Sequence, residues 1–297
     1  MKVRVYLLRQ HGFRLPSEDV RASKPMAGYL RVSREPGGRV LREARLPGLA
    51  EWRRVIDWRL TQIGKLANVE LFPGSPMRAA DILEAGYAHV FVATGATWRR
   101  DGVGRGQWRP IAGHGQAHVL TPDDIMDGRA PAGRVLVYDN DHFYMGGVLA
   151  ERLARQGCHV TLATPAPLVS YWAQYTLEQE RIQRQLLGLG VALAPQHTLL
   201  AIGAAGAELA DASSGRAVDL DCDAVVLVTD RLPNDALYHE LRPALADRRL
   251  RSLRLIGDAA APHIIAQAVF AGHLAAREFE EPAADETPFR VERALLA

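Results

Sequence analysis

Cysteine is nearly absent from this 297-residue chain: Cys158 and Cys222 are the whole complement. They lie far apart and lack C-x-x-C spacing, which argues against a redox dithiol. An iron–sulfur cluster held by cysteines alone needs about four ligands and cannot form within the chain. Cys158 reads as a small apolar residue near the start of a strand. Long apolar runs are also missing, with none near the ~18–20 residues of a membrane span. No signal peptide is read at the start, so a cytoplasmic protein without a membrane partner is expected. Basic clusters are short: Arg99-Arg100 and Arg248-Arg249-Leu250-Arg251, within a formal net charge of +2. Nucleic acid is therefore not an expected partner. The glycine turn G-x-G-x-x-G, which lets backbone N–H groups reach a pyrophosphate, stands at no strand–helix junction.

What is present is alternation. Residues 49–63 place Leu49, Trp52, Ile56, Leu60 and Ile63 at helical spacing, with Trp52 and Trp58 expected in the core. Val69–Phe72 reads as a strand, 79–85 as a helix ended by Gly86, and 90–93 as a buried strand entering Thr94-Gly95. Residues 102–118 form a glycine-rich loop. Thr121-Pro122-Asp123-Asp124 opens a helix with a cap, a proline and an acid. Beyond Gly128 and Pro131-Ala132-Gly133, a strand (135–138), a helix (145–156) and a strand (159–162) make a βαβ unit. A helix (177–187), strands at 191–194 and 224–229, and small antiparallel strands within 197–220 follow. A strand at 253–256 and a helix at 263–280 end the pattern. The alternation argues for an α/β fold with parallel sheets.

The junction Asp139-Asn140-Asp141-His142-Phe143-Tyr144-Met145-Gly146-Gly147 occupies the place of a dinucleotide turn with the wrong chemistry. Two carboxylates at a helix N-terminus suit the helix dipole but repel a pyrophosphate. The next strand ends Leu162-Ala163-Thr164-Pro165, with no acid for a ribose hydroxyl. His142, Tyr144 and Tyr171 are capable of proton chemistry, yet nothing pairs them with a nucleophile. Asp139, Asp141 and His142 are crowded into one turn, and no metal is expected. Gly257-Asp258, between a strand and a helix, reads either as a sugar-binding carboxylate or as a plain N-cap. Gly37-Gly38 and Ala93-Thr94-Gly95 each allow close backbone approach and are weak signals alone.

Taken in order, Gly37-Gly38-Arg39-Val40, Leu46-Pro47-Gly48-Leu49-Ala50-Glu51-Trp52, Ala93-Thr94-Gly95-Ala96-Thr97-Trp98, Thr121-Pro122-Asp123-Asp124, the 139–147 turn and Leu255-Ile256-Gly257-Asp258 resemble one family. It is the C-terminal half of the trimethylamine dehydrogenase group of NADH:flavin oxidoreductases, and the turn looks most like the N-methylproline and dimethylglycine demethylase branch. The resemblance spans about residues 35–285. It implies two Rossmann-like, glutathione-reductase-type domains: an FAD- or ADP-binding domain of 1–130 plus 229–297, and an inserted NAD(P)-binding-like domain of 131–228 with a degenerate turn. It implies Gly37, Gly38, Arg39, Ala93, Thr94, Gly95, Gly257 and Asp258 as cofactor-binding residues. Two departures shape the expectation. The family's FMN barrel and cysteine cluster are not in this sequence, so neither FMN nor an iron–sulfur cluster is expected in the chain, and catalytic residues are not assigned. Residues 1–34 lack the first glycine turn, although Gly28-Tyr29 echoes the end of the helix that should follow it. The first domain is thus expected to be incomplete at its N-terminus, to bind FAD or ADP weakly, and to offer an open sheet edge to a second copy or a separate barrel subunit. The resulting reading is a flavoprotein oxidoreductase module that assists electron transfer. The alternatives are a non-catalytic scaffold that has lost its cofactor and, less well matched, an NAD(P)H-dependent reductase.

Overall fold

A computed structural model describes residues 4–8, 27–31, 35–67 and 69–279. In chain order come β1 (Arg4–Leu8), β2 (Ala27–Arg31), α1 (Arg39–Glu43), α2 (Arg54–Ile63), β3 (Val69–Phe72), α3 (Ala79–Glu84), β4 (His89–Val92) and β5 (Ala96–Trp98). Next are β6 (Val119–Leu120), α4 (Pro122–Met126), β7 (Arg134–Asp139), α5 (Met145–Arg155), β8 (His159–Ala163), α6 (Gln179–Gly188) and β9 (Ala192–Ala194). The chain continues with β10 (His197–Ile202), β11 (Gly206–Asp211), β12 (Ala217–Asp221), β13 (Ala224–Val228), β14 (Arg231–Pro233), α7 (Ala236–Leu241), α8 (Pro243–Ala246), β15 (Ser252–Leu255) and α9 (Ile265–Arg277). The fold is α/β with a parallel sheet.

Contacts divide the chain into two compact units. The first takes in 1–34, 63–94 and 235–297, and the second 35–62 and 95–234. These bounds differ from the expected 1–130 plus 229–297 and 131–228, because β6 pairs with β13 and α1 is tied to α4. Arg42 makes that tie through ion pairs of 2.6 Å to Asp123 and 2.9 Å to Asp127.

In the first unit the sheet order is β15-β4-β1-β2-β3. β4–β15 and β2–β3 run parallel, but β1 is antiparallel to both its neighbours. That departs from the parallel first sheet expected, and antiparallel neighbours do not need the crossover helix that parallel strands require. Gly28-Tyr29 lies within β2, so it does not end a helix. Residues 9–26, where a first turn was sought, fall outside the described residues. Ile82, Val90, Val92 and Leu241 are fully buried between β4, α3 and α7. Each such side chain contributes about 1.5–3 kcal/mol on leaving water.

In the second unit β6-β13-β7-β8-β9 is parallel throughout. The alternation along its central strands builds two cores. Val135, Val137, Val226 and Val228 face α5, where Leu149 and Leu153 are fully buried. Leu136, Tyr138, Val225 and Leu227 face the antiparallel β10-β11-β12 sheet through Leu199, Ile202 and Leu209. A strand buried on both faces explains the unbroken apolar run before Asp139. The Thr121 cap forms as read, reciprocally with Asp124. Cys158 packs against the first core and donates to the Pro131 carbonyl at 3.2 Å. Trp52 packs on the core as expected, but Trp58 does not: it is 59% exposed, with the Arg59 guanidinium 5.7 Å from its ring centroid. Helix α1 follows directly on Gly37-Gly38. It is only five residues long, and its ion pairs to α4 rather than its composition hold it. Among the described residues no helix is long and apolar enough to cross a membrane.

Candidate functional site

The parallel sheet of the second unit delivers its loops to one edge. β7 has β8 on one side and β13 on the other, so the chain reverses its direction of sheet growth there. Ligands of open α/β sheets bind at the carboxyl ends of strands at such a switch point. Asp139 is the last residue of β7 and is fully buried. Its Oδ1 accepts the backbone N–H of Asp141 at 3.1 Å and of His142 at 3.0 Å. His142 takes a left-handed backbone, φ 65°, to close this loop. α5 then begins, with Gly146 so close that a Cβ there would lie 2.6 Å from Asp139 Oδ2. The Asp139 carboxyl therefore takes turn N–H groups and the space beside the helix start that a bound phosphate would need. The residues present do not fit a pyrophosphate.

Burial sets the electrostatics. It raises the Asp139 carboxyl to about 7, against the pull of the two N–H donors. Burial and then the Asp139 charge raise Asp141 to about 8, opposed by Arg105 and Arg39. Asp230 is raised by burial, opposed by Arg105 and Arg99. His142 is lowered to about 4 by burial and by Arg105. Its Nδ1 lies 3.4 Å from Thr164 Oγ1. Tyr144, for which the sequence offered no nucleophile, donates to Glu43 Oε2 at 2.7 Å, and Arg39 approaches Glu43 at 3.6 Å. Glu43 is almost wholly buried and carries no signal in the sequence, since its partner is 101 residues away. Arg105 lies 4.1 Å over the Trp172 ring, and only its place in the glycine-rich loop marks it beforehand. No group of three metal-binding side chains assembles among the described residues. A groove of about 440 Å³ lies at the opposite end of α5, lined by Arg45, Glu151, Arg152 and Arg155 among others. No buried polar atom of these four lacks a partner, so the groove is not where polar chemistry collects.

The residues assigned to a nucleotide fall into both units. In the first, β4 and β15 are parallel neighbours, and the N–H of Ile256 reaches the Val92 carbonyl at 3.0 Å. Ala93 and Thr94 thus leave the sheet beside Gly257 and Asp258. Gly257 has φ 60°, and Asp258, 9% exposed, accepts the N–H of His263 at 3.2 Å. In the second unit, Gly37 has φ 131° and would clash with Ile56 if it carried a Cβ, so packing alone accounts for it. Gly38 precedes α1, which Arg39 opens. Gly95, φ 78°, presents its carbonyl to the N–H of Asn234 at 2.9 Å.

Known proteins share this architecture. Residues 120–211 match the family described as OYE-like second alpha/beta domain. The chain is 36% identical to dimethylamine dehydrogenase of Hyphomicrobium sp. (strain x) over 274 residues, 82% of this chain and 37% of that one. It is 30% identical to a probable N-methylproline demethylase of Rhizobium meliloti (strain 1021) over 219 residues, 70% of this chain and 30% of that one. The solved structure of histamine dehydrogenase from Rhizobium sp. 4-9 superposes with a TM-score of 0.85 at 42% identity, over 89% of this chain and 42% of that one. The chain is homologous to oxidoreductases of the amine dehydrogenase kind, as the ordered motifs indicated. It spans about a third of the length of the curated relatives it matches, 37% and 30%.

Proposed function

We propose that this chain is a nucleotide-binding module of a flavoprotein oxidoreductase related to amine dehydrogenases and demethylases. It binds FAD or ADP and assists electron transfer rather than oxidising an amine by itself. The two units are read as Rossmann-like domains of glutathione-reductase type. The observation that carries the proposal is the strand pair β4–β15, which sets Ala93 and Thr94 beside Gly257 and Asp258 at one sheet edge. A nearly buried carboxylate after a parallel strand suits sugar hydroxyls, and Gly257 keeps the backbone open to a ligand. Gly37, Gly38, Arg39 and Gly95 lie in the second unit and are assigned to the cofactor by the resemblance alone. A flavin there would supply one- or two-electron transfer, while these residues would hold its sugar and phosphate portions. The amine-oxidising chemistry would belong to an FMN and iron–sulfur barrel subunit, and the partner of this chain in the cytoplasm would be that subunit or a second copy of itself.

An absorbance spectrum of the purified protein, followed by titration with FAD and with ADP, tests the reading. Saturable binding that weakens about tenfold or more in Asp258→Asn is expected. Failure of both nucleotides to bind at high micromolar concentration would overturn it. One observation favours a second reading, a scaffold without a cofactor: Asp139 fills its own phosphate position in the second unit.

A further inference from the structure

The switch point of the second unit carries polar groups that the acidic turn leaves unused. Asn140 follows β7, and Thr229 follows the adjacent β13. Both are buried, at 0% and 1% exposed. Among the described residues, Asn140 Oδ1, Asn140 Nδ2 and Thr229 Oγ1 have no hydrogen-bond partner. Their positions are fixed by the backbone: the N–H groups of Asn140 and Asp141 donate to the Val228 carbonyl at 2.8 and 3.1 Å. The loop 102–106 covers them. A Cβ on Gly104 would stand 3.1 Å from Thr229 Cβ and 3.5 Å from Asn140 Nδ2, so the loop backbone sits against both residues. The next residue, Arg105, rests on Trp172, so one loop reaches from the strand ends to the segment Tyr171–Thr176. Gly102 and Gly106, with φ 78° and 72°, bracket it.

We propose that the carboxyl ends of β7 and β13 form a binding site for a small primary carboxamide, closed by the loop 102–106. Asn140 presents a free acceptor beside a free donor, and another amide returns that pair in a two-bond ring. The Thr229 hydroxyl serves as donor or acceptor to the same group. A buried amide left unbonded destabilises the fold, which is why such atoms mark places where a partner enters. A carboxylate lacks the N–H that Asn140 Oδ1 requires beside its own acceptor, so it returns only half of the pair. Entry requires Arg105 to leave Trp172. The site lies within the second unit and does not depend on the nucleotide assignment above.

Calorimetric titration of the full chain with nicotinamide, and with nicotinate as its anionic counterpart, decides the matter. Saturable nicotinamide binding is expected, with nicotinate at least about tenfold weaker. Asn140→Leu and Thr229→Val should each weaken nicotinamide by about tenfold or more while circular dichroism stays unchanged. If Asn140→Leu does not fold, Thr229→Val carries the test. The proposal is overturned if folded wild-type protein shows no saturable binding, if nicotinate binds equally well, or if the foldable variants bind as wild type. It is equally overturned by a crystal structure in which ordered waters satisfy Asn140 and Thr229 and nicotinamide leaves them in place.

Discussion

Replacing Asp139 by asparagine should make the second unit more stable at pH 8 and leave it nearly unchanged at pH 5. The carboxyl is fully buried and held protonated up to about pH 7, whereas in the unfolded chain it ionises near 3.9. The folded state therefore binds more protons than the unfolded state between these values, and stability falls as pH rises through that window. Across about three pH units, at about 1.4 kcal/mol each, the ceiling is about 4 kcal/mol lost by pH 8. Asparagine keeps an oxygen for the N–H groups of Asp141 and His142. Its NH2 replaces Oδ2 against Gly146, where an unmatched donor costs about 1–3 kcal/mol. The net expectation is a gain of about 1–3 kcal/mol at pH 8, a rise in Tm of several degrees for a unit of this size. Thermal melts from pH 5 to pH 8 measure it. Asp141 adds to the same slope, since its carboxyl is raised to about 8. His142 opposes it: held neutral down to about pH 4, it loses its contribution as pH falls from about 6.5. A wild-type stability that rises steadily from pH 5 to 8, or an Asp139→Asn protein destabilised equally at both ends, would refute the reasoning.

Two further outcomes test the packing around the turn. Gly146→Ala sets a methyl against the buried Asp139 carboxyl and should cost about 1–3 kcal/mol by urea unfolding, less when Asp139 is also replaced by glycine. Tyr144→Phe removes the hydroxyl that donates to the buried Glu43 and should cost about 1–3 kcal/mol at pH 7, and a midpoint unchanged in urea would mean that the pair adds nothing.

A glycine turn binds and releases its dinucleotide, whereas Asp139 is covalently part of the chain and stays. The N–H groups of Asp141 and His142, just ahead of α5, are therefore satisfied without a ligand.

Local pattern determined most of the regular structure. Apolar runs marked β7 and β13 because strands of a parallel sheet are buried on both faces. The Thr121 cap and the Gly86 stop were legible because capping is satisfied within a few residues. The unsuitability of the 139–147 turn for a pyrophosphate was also legible, since charge type and the missing G-x-G-x-x-G pattern are properties of the residues themselves. Tertiary structure decided what depends on partners distant in sequence. Helix α1 exists through Arg42 and its acids 81 or more residues away. The orientation of β1 followed from sheet assembly, to which its own five residues carry no clue. The unused amide of Asn140, the Thr229 hydroxyl and the Arg105–Trp172 cover emerge only where three separate segments meet at one sheet edge. Burial at that edge also turned two ordinary aspartates into groups that hold protons near neutral pH, because desolvation belongs to the assembled fold and not to any residue in it.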